Sequence, residues 1–206
     1  ALVVVAIVAV VYLLRDYQSP AGDAPAAPAA ATAAGDTRAL ADRLSPDQHD
    51  EVCRTVSAAV GDAAAALGTT RRQLRGNVWA CDGAGMLHIL PEFNCNMTMV
   101  KERALDWPIG QGNVGRAWLT RAASIVDDAG ADTGLAPDQR KRLHPDLTWV
   151  VSVPVFAGGQ AGTEPAWILS VDGLKGRRTT KELQKVVGAL EGQAHELGLI
   201  LGEVAT

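Results

Sequence analysis

The chain has 206 residues, room for one ordinary domain with an appendage, and a formal net charge of -4. That balance offers no general basic field to phosphate backbones or anionic lipid and so weighs against nucleic acid as a partner. Three cysteines, Cys53, Cys81 and Cys95, are odd in number and widely spaced, which excludes a fully paired disulfide framework and fits a reducing compartment.

Residues 1–14 form an unbroken apolar run that ends at Arg15-Asp16. The run lacks the polar stripe of a soluble helix and has no small-residue cleavage site directly after it. It is shorter than the ~20 residues of a full span, so residues 1–17 are expected to be a truncated transmembrane helix. Residues 18–44 read as an Ala/Pro-rich linker, disordered because it has no apolar period to bury. Arg15, Arg38 and Arg43 flank the membrane on one side, an asymmetry that places the downstream domain in the cytoplasm.

The domain is expected over residues 45–206. Ser45-Pro46-Asp47-Gln48 is a capping box that opens a helix to Leu67, with Val52, Val56, Val60 and Leu67 on one side and Gly68 as the stop. Cys53 lies beside that stripe and reads as a small buried thiol. Two alternating runs, Leu74–Cys81 and residues 85–90, flank Asp82-Gly83-Ala84 and predict a hairpin. A turn centred on Gly83 and Ala84 would put Val78 and Ala80 on one face with Leu87 and Ile89. Asn77, Trp79 and Cys81 would then share the other face with Met86 and His88. The clusters Arg71, Arg72 and Arg75, then Arg140, Lys141 and Arg142, then Lys175, Arg177 and Arg178 read as solvated edges.

Short elements are expected at residues 104–107, 114–120 and 124–126, followed by buried strands at 150–156 and 166–172. Thr179-Thr180-Lys181-Glu182 is a second capping box, opening a helix to the chain's end. Along it Leu183, Val187, Leu190, Ala194, Leu197, Leu201 and Val204 form a heptad seam, which makes residues 181–204 the surface on which a second copy would pair as a homodimer. Gly188, Gly192, Gly198 and Gly202 lie off the seam and call for close backbone approach, with the Ala-rich first helix as the obvious neighbour. Helix, hairpin, irregular middle, two strands and helix together imply an α+β fold: an antiparallel sheet with helices packed on one face.

The segments Trp107-Pro108-Ile109-Gly110-Gln111-Gly112-Asn113-Val114-Gly115-Arg116-Ala117, Ser124-Ile125-Val126-Asp127-Asp128, Ser152-Val153-Pro154-Val155 and Ile168-Leu169-Ser170-Val171-Asp172 follow one another at a characteristic spacing. In that order they resemble the GAF family, across about residues 45–204. The resemblance implies a GAF/PAS-like α+β sandwich, in a family whose members sense many ligands. Gly110 to Gly115 also spell GxGxxG. A dinucleotide fingerprint needs a parallel strand and a crossover helix, and Trp107-Pro108 and the short helix argue instead for a tight turn. The cyclic-nucleotide residue set of specialised GAF members has no counterpart in the chain. No cysteine adjoins a histidine, as in bilin-binding members, and the Gly-rich turn lacks the thiols of the relatives that reduce free methionine sulfoxide.

The functional expectation is a membrane-tethered, non-catalytic sensory module for a small molecule of unknown identity, with no cofactor assigned. Its ligand-binding residues are expected to be Trp79, Cys81 and His88, on the mixed face of the hairpin under the segment 91–107, because ligand sites combine apolar walls with a few polar groups. The alternatives are a tethered structural domain without ligand and a redox enzyme of the same fold using Cys81 or Cys95. Neither thiol has a neighbouring base to depress its pKa. A zinc site from Cys81, His88 and Cys95 lacks a well-placed fourth ligand, leaving metal binding unassigned.

Overall fold

The computed structural model describes residues 36–132, 134–159 and 164–205. The apolar run and residues 18–35 of the expected linker lie outside them, and no helix among the described residues is long and apolar enough to cross a membrane. The remaining linker residues are docked rather than free. A short helix α1 (Ala39–Asp42) follows Thr37, which donates its amide to Cys81 O at 2.9 Å and accepts from the Trp167 indole at 3.1 Å.

Helix α2 (Pro46–Leu67) forms as its sequence dictates. Ser45 Oγ accepts from Gln48 N, Gln48 Oε1 accepts from Ser45 N, and Gly68 ends the helix in the left-handed conformation that costs glycine nothing. Its Val52, Val56, Ala59, Val60 and Ala63 are fully buried. Strands β1 (Leu74–Cys81), β2 (Met86–Cys95), β3 (Asp106–Pro108), β4 (Ser124–Val126), β5 (Trp149–Val155) and β6 (Trp167–Gly173) form one six-stranded sheet in the order β3-β2-β1-β6-β5-β4. Every neighbouring pair is antiparallel. Between the strands lie α3 (Val100–Arg103), α4 (Gly112–Thr120) and α5 (Pro137–Arg142), and α6 (Thr180–Ala205) closes the fold.

The two faces of the sheet differ because side chains alternate along each strand. Leu74, Val78 and Ala80 of β1, Val151, Val153 and Val155 of β5, and Trp167, Leu169 and Val171 of β6 pack with α2 and α6 into the main core. The other face carries a second cluster of Trp79, Cys81, Leu87, Ile89 and Ile168, covered by Met97, Leu105, Trp107, Val114, Trp118 and Leu135. Pro154 sits in β5 opposite Ile168 of β6 and beyond the three residues, 150–152, that pair with β4, so that one edge of the strand has no ladder partner at this position.

Three expectations are corrected. The hairpin loop has three residues, not two: Asp82 Oδ1 accepts from the amides of both Ala84 and Met86 at 2.9 Å, and Gly85 takes φ 81°. The extra residue slips the register by one, pairing Ala80 with His88 and Cys81 with Leu87. His88 therefore leaves the face of Trp79 and Cys81, and Leu87 and Ile89 join it. Second, the α6 seam is not a free surface: Leu183, Leu190, Leu197 and Leu201 are fully buried against α2 and the sheet, while Leu199 of the same helix is exposed. Third, only two of the α6 glycines meet backbone. A Cβ at Gly198 would lie 2.3 Å from Phe156 O and one at Gly202 2.7 Å from Gly158 Cα, so they accommodate the turn after β5 rather than α2, and Gly188 and Gly192 face open space.

Candidate ligand site

The site is built from the strand register. On the face away from the long helices Asn77 of β1 pairs with Ser170 of β6, Ser170 with Ser152 of β5, and Ser152 with Ser124 of β4. This row of small polar side chains crosses the sheet. Two residues along, the next row begins with Arg75 opposite Asp172, and on the other side Trp79 lies between Ile89 and Ile168. The floor thus grades from charged through polar to apolar.

Each polar group on the floor is held. Ser152 and Ser170 hydroxyls share a hydrogen bond of 2.7 Å, Asn113 of α4 donates Nδ2 to Ser152 Oγ at 2.8 Å, and Ser124 Oγ donates to Asn113 Oδ1 at 2.6 Å. The Trp79 indole donates to Asn77 Oδ1, which fixes the orientation of that amide. Arg75, 2% exposed, donates Nε to Asp172 Oδ1 at 2.7 Å and Nη1 to Glu102 Oε2 at 2.6 Å. Glu102, on the short helix α3 of the cover, is 1% exposed and also accepts the His144 amide at 2.6 Å. Burial would push the Arg75 guanidinium down, but Asp172 and Glu102 outweigh it and raise its pKa. Burial pushes the Asp172 carboxyl up from the usual carboxylate range, against the opposing pull of Arg75.

Between this floor and the cover is a cavity of about 70 Å³ lined by Arg75, Asn77, Trp79, Ile89, Glu102, Ser170 and Asp172 below and beside, and by Met97, Leu105, Trp107, Asn113, Leu135 and Leu143 among the covering residues. It has room for several waters or a compact molecule of a few heavy atoms. The Trp79 and Trp107 rings stack across its apolar end with centroids 6.4 Å apart.

No family model matches the sequence, and no curated protein matches it. Solved structures match the architecture. A type II free methionine-R-sulfoxide reductase from Thermoplasma acidophilum superposes with a TM-score of 0.52 at 16% identity, covering 77% of this chain and 97% of that one. The GAF domain/HD domain protein from Geobacter sulfurreducens gives a TM-score of 0.52 at 14% identity, covering 80% and 97%. The chain has the GAF fold.

Within this GAF fold the three residues expected from sequence separate. Trp79 lines the cavity. Cys81 lies in the same apolar cluster but outside the lining, its thiol donating to Asp82 O at 3.1 Å. Burial, with Asp82, Glu164 and Asp36 adding to it, pushes that thiol up to about 12. His88 is turned to the hairpin loop, its Nε2 2.9 Å from Asp82 Oδ2. Burial alone would raise Asp82, yet the Met86 amide, His88 and the Ala84 amide hold it below its ordinary value.

The cavity-lining residues that sequence reasoning missed are Arg75, read as a solvated edge, and its partners Glu102 and Asp172. Asn77 and Ser170 alternate in phase with Trp79 and Asp172, and that signal was present. The cover also extends beyond the expected 91–107, to Leu147, while Phe93 turns to the helix side and lies tilted against Trp167 with ring centroids 5.6 Å apart. The GxGxxG segment is a turn into α4 after an antiparallel strand: Gly110 and Gly112 have φ 88° and 61°, and a Cβ on Gly115 would lie 2.8 Å from Pro108 O.

Proposed function

We propose that the chain is a non-catalytic GAF module that binds a small molecule in the cavity between sheet and cover, and that residues 1–17 tether it to a membrane with the domain on the cytoplasmic side. One observation carries the binding reading. Asn77 and Asp172 line the cavity, 3% and 5% exposed, and their side-chain bonds to Trp79 and Arg75 run through Asn77 Oδ1 and Asp172 Oδ1, which leaves Asn77 Nδ2 and Asp172 Oδ2 for a guest. A guest that hydrogen-bonds these atoms in place of cavity water gains roughly 0.5–1.5 kcal/mol from each bond, more where the partner is charged.

The test is a metabolite panel read by thermal unfolding and by indole fluorescence. A ligand should raise the melting temperature in proportion to the logarithm of its concentration, and Ser170→Val and Asn77→Leu should abolish the shift. A panel without any such compound would favour the structural reading of the domain. The tether is tested separately, with a cysteine at Ser19 in a Cys-free background, which should resist an impermeant thiol reagent in intact cells.

A redox reading draws on the reductase that shares the fold. It is the weaker one, because none of Cys53, Cys81 and Cys95 lines the cavity, and the Cys81 thiol at about 12 is the reverse of an activated nucleophile. Thiol-dependent reduction of free methionine sulfoxide by the wild type, lost on replacing all the cysteines with serine, would overturn the non-catalytic reading.

A further inference from the structure

We propose that the ligand of this cavity is a small organic cation, a primary ammonium carrying a hydroxyl or carbonyl oxygen at its other end. The inference rests on the ligand-binding reading above and deepens it by naming the chemical class. Its first ground is charge balance. Arg75 is one cation held between two carboxylates, Glu102 and Asp172, and all three are nine-tenths or more buried and line the cavity. Asp132, the remaining charged liner among the described residues, is already paired with Arg116 at 3.2 Å. The enclosed set therefore lacks one cation for both carboxylates to be ionised, in keeping with the upward push on the Asp172 carboxyl, and a guest ammonium supplies the counter-charge that lets Asp172 release its proton. His144, whose amide binds Glu102, is the additional titratable group close enough to act on Asp172.

The second ground is geometry. Asp172 offers Arg75 only Oδ1, leaving Oδ2 for a guest. An ammonium donates three hydrogen bonds and accepts none, which matches a free carboxylate oxygen. At the next row of the floor the polarity reverses, because Asn77 Oδ1 is taken by the Trp79 indole, which leaves its Nδ2 for a guest. Rows two residues apart on a strand are ~7 Å apart, so a molecule with a donor head and an acceptor tail a few bonds away satisfies both.

Probes of equal size separate these features: 3-amino-1-propanol, n-butylamine, 1-butanol and propionate, titrated calorimetrically into the full chain near neutral pH while the indole N–H resonances of Trp79 and Trp107 are followed by NMR. The amino alcohol should bind best and butylamine next. Butanol should be weaker by about tenfold or more, the equivalent of one charge-assisted hydrogen bond, and propionate should not bind. Asp172→Asn should remove the advantage of butylamine over butanol. Glu102→Gln, which keeps the hydrogen-bonding shape, should narrow it and serves where the first variant does not fold. Butanol or propionate binding as well as the amines, with the Trp79 resonance moving, would overturn the cation assignment and leave the ligand site standing. Failure of every probe to move that resonance would overturn both.

Discussion

Arg75 is held between two carboxylates, and removing it leaves both of them buried beside the cavity without a counter-ion. Arg75→Met should therefore cost about 3–5 kcal/mol in a chemical denaturation experiment. Asp172 makes a distinct contribution to the pH profile. Its folded pKa is raised, so between the ordinary carboxylate value and the folded value the native state holds a proton that the unfolded chain has lost. Stability through that group is greatest at low pH and falls as pH rises across the window. Asp172→Asn should flatten this part of the wild-type stability curve, and an unchanged slope would contradict the raised carboxyl. Gly76 makes the opposite kind of demand: a Cβ there would sit 2.7 Å from Val60 Cγ2, so Gly76→Ala should destabilise by roughly 1–3 kcal/mol through overpacking of α2 on β1.

At the level of elements, the capping boxes, the stop at Gly68 and the strand containing Pro154 were all legible, because each depends on residues a few positions apart. The hairpin existed in the sequence but its register did not. Asp82 can close a loop of two residues or three, and the choice depends on whether its carboxylate captures the Met86 amide, which it does. Gly85 then has to adopt a left-handed backbone. Gly85→Val should cost ~1–2 kcal/mol, with Gly85→Asn milder, measured as a shift in denaturation midpoint. The α6 seam illustrates the same limit. A heptad stripe announces an apolar face without saying what covers it, and here the cover is the chain's own α2 and sheet. Leu190, fully buried, should accordingly tolerate no charge: Leu190→Lys should unfold the domain, seen as loss of the cooperative thermal transition. Arg75 eluded sequence reasoning for a related reason, since its partners are 27 and 97 positions away.

Across the whole molecule the sheet separates two clusters of different construction. One is closed by long helices, and the other by short elements and loops spread over residues 96–148. Segments with few regular backbone bonds open at lower free energy than core strands and helices. Amides of that cover should therefore exchange hydrogen faster than those of β1, β5, β6 and α2, and a bound cation should slow the cover selectively. Strand β6 lies at the boundary. Ser170 and Asp172 face the cavity, while Trp167, Leu169 and Val171 alternate with them into the helix-side core. The partition between the two compartments is thus a single polypeptide backbone in thickness, with no compressible layer behind it. Any guest that shoves this wall moves the indole of Trp167 and the floor beneath α6 by the same stroke, as a drumskin struck on one side moves the air on the other.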